Sequence, residues 1–391
     1  MQNFEFYSPT KIFFGSGVIK NIGHEAGKLG TKALLVYGQK SIKESGLYSR
    51  ILELLKNADI TVTEHSGVKP NPVITHTIEG KDKAKAADVD MIIGVGGGSV
   101  IDESKAIAAG ACYSGNLWNF YDQTEEIKSA LPIIAVQTLP ATSSETNQVS
   151  VITKTETNEK FGVRSPLIVP AVSFLDPELT LTIPLEYTAY AGFDIMSHLL
   201  EGYFTSTDKF APVQDGFVEG MVKAVMTSLD IILKDSTNIE ARSSLMWAGA
   251  LAWNGLCNAG VEGAETPNHM LEHPLSAVYD IPHGAGLSAI FPSWLRYKKK
   301  SVSHRIIQFG KNILMIGSEL EGLSEDSACS LIIDRFSSWI GHTGCPLNLG
   351  EAGIPTPDFE ELVKQARIIC GQWGIKNYSD EDLETIYRMA L

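Results

Sequence analysis

Between Ala33 and about Asp176 the chain alternates short apolar runs with stretches of helical period. ALLVY (33–37), ITVTE (60–64) and DMIIGV (90–95) are β-prone, and the segments between and after them predict helices near 41–57, 73–87 and 99–110. Strands joined through helix-length connections pair in parallel, so the pattern predicts βαβ units and a mainly parallel sheet. Further β-prone runs follow at PIIAVQT (132–138), VSVIT (149–153) and VSFL (172–175). Beyond LDPELTLTIP (175–184) the period of two disappears, and helix-period segments rich in Ala, Leu, Met, Glu and Lys run almost to Leu391. This predicts an α/β domain over 1–180 and an all-helical domain over 181–391. No repeat, low-complexity tract or flexible linker intervenes, which predicts firmly packed domains with a ligand cleft.

With 391 residues, 44% of them hydrophobic, two cores of ordinary size are expected. The formal net charge is −14, and the longest basic run is Lys298-Lys299-Lys300. Nothing here gathers phosphate backbones or anionic lipid, so neither nucleic acid nor membrane is an expected partner. The five cysteines are scattered, odd in number and form no C-x-x-C pair, which excludes a disulfide framework and fits a reducing compartment. MQNFEFYSPTKIFFG lacks a cationic start followed by a long apolar core, and no stretch is apolar enough to span a bilayer. A cytoplasmic location is expected.

Two loops carry the chemistry of an anion site. IIGVGGGSVIDESKAIAAG (92–110) reads as a buried strand, a glycine cluster and a helix. Gly96, Gly97 and Gly98 let the backbone turn sharply beside a bulky anion, while Ser99 and Val100 offer the free N–H groups of a helix N-terminus. The spacing is neither G-x-G-x-x-G nor a Walker loop, and a ligand-free turn is the alternative. TLPATSSE (138–145) follows another buried strand and brings hydroxyls from Thr138, Thr142, Ser143 and Ser144. Beyond the strand ends of an open sheet, ligand contact is the stronger reading.

The metal chemistry lies in the helical half. In AGFDIMSHLLEGYF (191–204) Asp194 and His198 stand one turn apart on one helix face. HMLEHPLSAVYDIPH (269–283) adds His269, His273 and His283. Three readings compete for these histidines. They are core residues; or His269, Glu272 and His273 form the H-x-x-E-H of an inverted zinc peptidase; or His269 and His283 join Asp194 and His198 on one ion. Pro274 disfavours helical geometry at His273, which predicts that His269 and His273 are not clean i, i+4 neighbours and weakens the peptidase reading. One hard oxygen and three borderline nitrogens suit Fe²⁺ or Zn²⁺.

Together FYSPTKIFFGSG, VKPNP (68–72), GVGGGSVID, TLPATSSE, LDP, GFDIMSHLLEGYF and HMLEHPLSAVYDIPHGAGL resemble the iron-containing (group III) alcohol dehydrogenases, and within them the butanol-dehydrogenase-like aldehyde reductases. The resemblance covers nearly the whole chain. It implies an N-terminal Rossmann-like dinucleotide domain, an all-helical metal-binding domain, a metal and nicotinamide in the cleft between them, and a homodimer. By position it implies Asp194, His198, His269 and His283 as metal ligands and His273 as a histidine near metal and nicotinamide. Gly96, Gly97, Gly98 and Ser99 match the pyrophosphate loop. Thr138, Thr142, Ser144 and Lys160 match nucleotide contacts, and Gly38, Lys40, Ser41, Asn71, Asp102 and Leu179 are implied as further cofactor contacts.

Three positions depart from the family pattern. Ser143 replaces a glycine of A-T-G-S-E, which is expected to alter close backbone contact with cofactor. Ile195 stands where a small residue is common. Gly38-Gln39-Lys40-Ser41 replaces a glycine run; it carries donors and a cation and no carboxylate, which favours NADP(H) over NAD(H). The implied activity is reduction of small aldehydes to primary alcohols and its reverse, with His273 as proton carrier. The alternatives are a glycerol or polyol dehydrogenase of the same superfamily, a zinc hydrolase using HMLEH, and a non-catalytic metal- or nucleotide-binding protein.

Overall fold

Eight strands form in the first half of the computed structural model, which describes all 391 residues. They are β1 (Lys11–Phe14), β2 (Lys32–Tyr37), β3 (Thr61–Ser66), β4 (Met91–Gly96), β5 (Ile133–Gln137), β6 (Val149–Lys154), β7 (Glu159–Arg164) and β8 (Val172–Leu175). Six make one sheet in the order β1-β8-β5-β4-β2-β3, every pair parallel. β4 and β5 are buried along their whole length and are apolar but for Gln137 at the end of β5, as expected of central strands of a parallel sheet covered on both faces. The helices are α1 (Ile22–Ala26), α2 (Ser41–Glu44), α3 (Leu47–Lys56), α4 (Ile74–Ala86) and α5 (Gly98–Ala111). One face packs Ile19, Ile22, Ile51 and Leu55 against Leu35, Tyr37, Ile93, Val95 and Val136.

Three details depart from expectation. The helix predicted at 41–57 is broken into α2 and α3, because Gly46 takes a left-handed conformation with φ +77°. β6 pairs antiparallel with β7 as a separate ribbon rather than joining the main sheet. β1 and β7 were outside the predicted strands: KIFF has two of its four residues exposed, and EKFGVR carries three charges, so neither gives a strong strand signal.

The second half is helical, with α6 (Leu185–Thr205), α7 (Pro212–Lys234), α8 (Ile239–Ala252), α9 (Pro267–Tyr279), α10 (His283–Lys298), α11 (Ser303–Asn312), α12 (Glu325–His342), α13 (Phe359–Trp373) and α14 (Asp380–Met389). α6 is buried almost all round from Thr188 to Phe204, as expected of a helix at the centre of a bundle. Phe193, Phe204, Phe291, Trp294, Phe309 and Phe336 interlock beside it. No helix is long and apolar enough to cross a membrane.

The chain divides into two compact units, Tyr7–Ile183 with Gly249–Asn254, and Met1–Phe6 with Pro184–Ala248 and Gly255–Leu391. The single division expected near residue 180 is therefore crossed by two exchanged segments. Gln2 N donates to Gly260 O at 2.8 Å and the Met1 ammonium to Asp208 at 2.9 Å, which ties the first residues to the helical unit. Ser143 Oγ donates to Gly249 O and accepts from Trp253 N at 2.8 Å, and Thr146 Oγ1 donates to Ala250 O at 2.6 Å. These bonds tie 249–254 to the α/β unit.

Candidate active site

The spacing of α6 puts Asp194 and His198 on one face, and α9 and the first residue of α10 bring His269 and His283 to the same place. Asp194 Oδ1 lies 3.3 Å from Nε2 of His198, 3.4 Å from Nε2 of His269 and 3.9 Å from Nε2 of His283. The rings of His198 and His269 stack with centroids 4.2 Å apart. His273 sits beside this group, its ring 5.7 Å from that of His283 and edge-on to Trp373 at 5.1 Å.

Two further carboxylates hold the imidazoles: Glu201, which the sequence reading missed, and Glu272, which it considered only as the glutamate of H-x-x-E-H. Buried Glu201, one turn beyond His198, accepts from Nδ1 of His269, from Ser197 Oγ at 2.7 Å, and from the backbone N–H groups of Asn268 at 2.6 Å and His269 at 3.1 Å. It thus caps the N-terminus of α9, whose own N-cap residue, Thr266, makes no side-chain cap. Buried Glu272 accepts from Nδ1 of His283 and from Ser276 Oγ. A Cβ on Gly286 would stand 2.7 Å from Glu272 Oε1, so only glycine leaves room for this carboxylate. The signal for Glu201 was its spacing, three residues from His198 and seven from Asp194 on one helical face.

Contrary to the expectation from Pro274, α9 runs through the proline and carries His269 and His273 on one helix. The helix persists with residues 267–276 buried, and Tyr387 donates to Leu271 O at 2.7 Å, next to the Met270 carbonyl that Pro274 leaves without its helical N–H. The peptidase reading loses ground for another reason, since Glu272 is engaged with His283 and Ser276.

The residues fit a divalent cation. Asp194 Oδ1 and His269 Nε2 are buried without a hydrogen-bond partner, an arrangement costly unless something positive lies between them. Donors at zinc-like bond lengths around a tetrahedral ion stand about 3.4 Å apart, close to the separations above. Burial raises the Asp194 carboxyl, but His198, His283 and His269 outweigh it and hold it well below the usual range. Burial, reinforced by His269, depresses His198 and keeps it neutral, the ligating form. At His269 burial opposes charge, yet Glu201 and Asp194 push the ring up to about 10.

The predicted cofactor residues gather at the carboxyl edge of the parallel sheet. Gly38 follows β2, Gly97 follows β4, Thr138 follows β5, and Leu179 follows β8. β2 and β4 flank the point where the strand order reverses. The two loops touch: a Cβ on Gly98 would stand 2.4 Å from Thr142 Oγ1, and Thr138 N donates to Gly96 O at 3.0 Å. Ser144 Oγ donates to Asp102 at 2.5 Å, and Val151 N does so at 3.1 Å, so both side chains brace the loops. Lys160 is buried and donates to Asn71 at 3.2 Å, while Ser99 Oγ donates to Pro70 O. Lys40 and Ser41 are exposed. Ser143 has φ +53° and spends its hydroxyl on the 249–254 segment; Ile195 is wholly buried.

Family models of the iron-containing alcohol dehydrogenases match residues 9–177 and, for the C-terminal part, 188–391. The NADH-dependent butanol dehydrogenase A of Clostridium acetobutylicum is 39% identical over 393 residues, all of both chains. The NADPH-dependent aldehyde reductase YqhD of Escherichia coli is 32% identical, covering 93% of each. The crystal structure of NADH-dependent butanol dehydrogenase A from Thermotoga maritima superposes with a TM-score of 0.95 at 37% identity, covering 100% of this chain and 99% of that one. The chain belongs to the iron-containing alcohol dehydrogenase family and is an oxidoreductase that acts on alcohols.

Proposed function

We propose that the enzyme interconverts small aliphatic aldehydes and primary alcohols with NADP(H), and that Asp194, His198, His269 and His283 hold iron, or zinc in its place. The observation that carries this reading is the convergence of one buried carboxylate oxygen and three imidazole Nε2 atoms within 4 Å. When bound, the ion supplies Lewis-acid polarisation of the substrate oxygen and the nicotinamide supplies hydride.

The chain's own residues do the rest. Glu201 and Glu272 accept hydrogen bonds from Nδ1–H of His269 and His283, which would direct each Nε2 lone pair at a cation held beside Asp194. A ring nitrogen of His273 gives a proton to the substrate oxygen during reduction and takes one during oxidation. Gly96, Gly97, Gly98 and Ser99 receive the pyrophosphate on free backbone N–H groups, with Asp102, Thr138, Thr142, Ser144, Lys160, Asn71 and Leu179 shaping the rest of the nucleotide site.

Relatives include both NADH- and NADPH-dependent enzymes. The preference for NADP(H) rests on Gly38, Lys40 and Ser41, where a cation and donors face solvent with no carboxylate in the loop. A cytoplasmic homodimer is part of the same reading; the five free cysteines fit the compartment, and light scattering tests the dimer.

The decisive experiment is elemental analysis of anaerobically purified protein, combined with NADPH and NADH oxidation over aldehydes from acetaldehyde to octanal. Metal-dependent oxidation of NADPH, faster than of NADH, is expected. Metal-loaded protein that oxidises neither cofactor with any aldehyde overturns the reading.

A further inference from the structure

A second group of metal-ligating side chains lies in the α/β unit, on three residues to which the proposed dehydrogenase chemistry gives no role. His65 from β3, His76 from α4 and Glu103 from α5 bring one nitrogen each and a carboxylate oxygen within 4.8 Å of one another. Glu103 Oε1 is 2.6 Å from Nδ1 of His76 and 3.0 Å from Nε2 of His65. Glu103 and His65 are fully buried, whereas the His76 side chain keeps 22% of its surface exposed and gives an ion a way in.

Three observations point to a cation here. Glu103 Oε2 is buried with no hydrogen-bond partner, although a carboxylate taken out of water needs its remaining lone pairs satisfied. The arrangement repeats that around Asp194: one carboxylate oxygen against two near-parallel imidazoles, with ring centroids 4.1 Å apart at 30° here and 4.2 Å at 21° there. His76 also has the outer partner typical of a ligating imidazole, since Nε2 donates to Ser66 O at 3.1 Å and so leaves Nδ1 to face Glu103. Gly80 makes space for the group, because a Cβ there would stand 2.8 Å from His65 Nε2.

We propose that His65, His76 and Glu103 form a second site for a borderline divalent transition cation, with Zn²⁺ as its occupant. Two imidazoles and one carboxylate are a zinc donor set with an open fourth position for water. The ion replaces the proton that bridges His76 Nδ1 and Glu103, releasing one H⁺ to solvent. His65 moves its proton from Nε2 to Nδ1, and exposed Lys83, now 3.4 Å from that nitrogen, withdraws. The donors spread to about 3.4 Å, by about 0.4 Å at His65 and about 0.8 Å at His76, and the larger movement falls on the partly exposed ring of His76. The bound ion joins β3, α4 and α5 and so stiffens the helix that carries the glycine loop.

The test uses full-length protein stripped with a chelator, reloaded with Zn²⁺, desalted and analysed for zinc per chain. Wild type is expected to retain two equivalents. Asp194→Ala/His269→Ala is expected to retain one, and the further change His76→Gln to lower its affinity at least 10-fold. Co²⁺ in the Asp194→Ala/His269→Ala protein should give a d–d absorption band that Glu103→Gln abolishes, and Lys83→Met should tighten binding. Circular dichroism verifies that each variant is folded. The proposal is overturned if the Asp194→Ala/His269→Ala protein retains no zinc, or retains it equally tightly with folded His76→Gln or Glu103→Gln; in that case the cluster is a hydrogen-bonded ion pair alone.

Discussion

Glu272 accepts the Nδ1–H of His283 from the neighbouring helix, so a carboxylate that the H-x-x-E-H pattern would assign to water activation instead fixes the orientation of an imidazole. Its replacement therefore disturbs metal retention before it disturbs chemistry. Glu272→Gln should weaken metal binding about 10- to 100-fold while the fold is kept. Competition with a chromophoric chelator measures this, and unchanged affinity combined with lost turnover would return Glu272 to a catalytic role.

His273 is expected to affect protons and not the ion. His273→Gln should keep the full metal content yet lower kcat by about 10²-fold or more and alter the pH profile of kcat/KM. A variant with wild-type turnover and an unaltered profile removes His273 from proton transfer.

Gly98 sets the distance between the two anion loops. Gly98→Ala would place a methyl 2.4 Å from Thr142 Oγ1 and 2.7 Å from its Cγ2, so either the loop or the threonine must shift. Affinity for NADPH, measured by fluorescence, should fall at least 10-fold with the metal content unchanged. Without that clash, alanine in a helix would be the more stable residue by up to about 1 kcal/mol.

The proposed preference for NADP(H) rests most on Lys40. Lys40→Glu should lower kcat/KM for NADPH by about 10-fold or more and leave NADH less affected, as expected for loss of a charge-assisted contact to a 2′-phosphate. Parallel loss with both cofactors would show that Lys40 does not read the phosphate.

The His76–Glu103 pair gives metal-free protein a pH signature. His76 is raised because the Glu103 carboxylate outweighs burial. Glu103 is lowered because His65 and His76, acting together, outweigh its burial. The histidine contribution is complete below about pH 6.5 and is lost as pH rises through the raised folded value. The glutamate contribution is complete above about pH 4.3 and is lost as pH falls through the lowered folded value. The Tm difference between wild type and Glu103→Gln, measured with a chelator present, should therefore peak between about pH 4.3 and 6.5 and shrink on both sides. A difference that is flat with pH would mean that the pair is not ionised.

The α/β half was legible because its central strands are almost wholly apolar and its glycine loop follows one of them directly. Asp194 and His198 were legible through the helical period alone. The roles of Glu201 and Glu272 were harder to read, because a buried carboxylate is recognised by what donates to it, and beside one local serine each the donors that define those roles lie 67 and 11 residues away along the chain. Pro274 misled because backbone preference is local, whereas the burial of α9 and the Tyr387 hydroxyl bond act from a distance. Ser143 departs from the family glycine yet keeps a left-handed backbone, its hydroxyl bonding a segment more than 100 residues later.

That late tether has a bearing on biosynthesis. Gly249–Asn254 complete a body whose other residues all precede Pro184. During translation the α/β unit must therefore wait for about seventy further residues before its TSSE loop finds Gly249, Ala250 and Trp253. A gene fragment ending near residue 183 would encode every strand and both anion loops, yet would leave Ser143 and Thr146 without the backbone groups they bind.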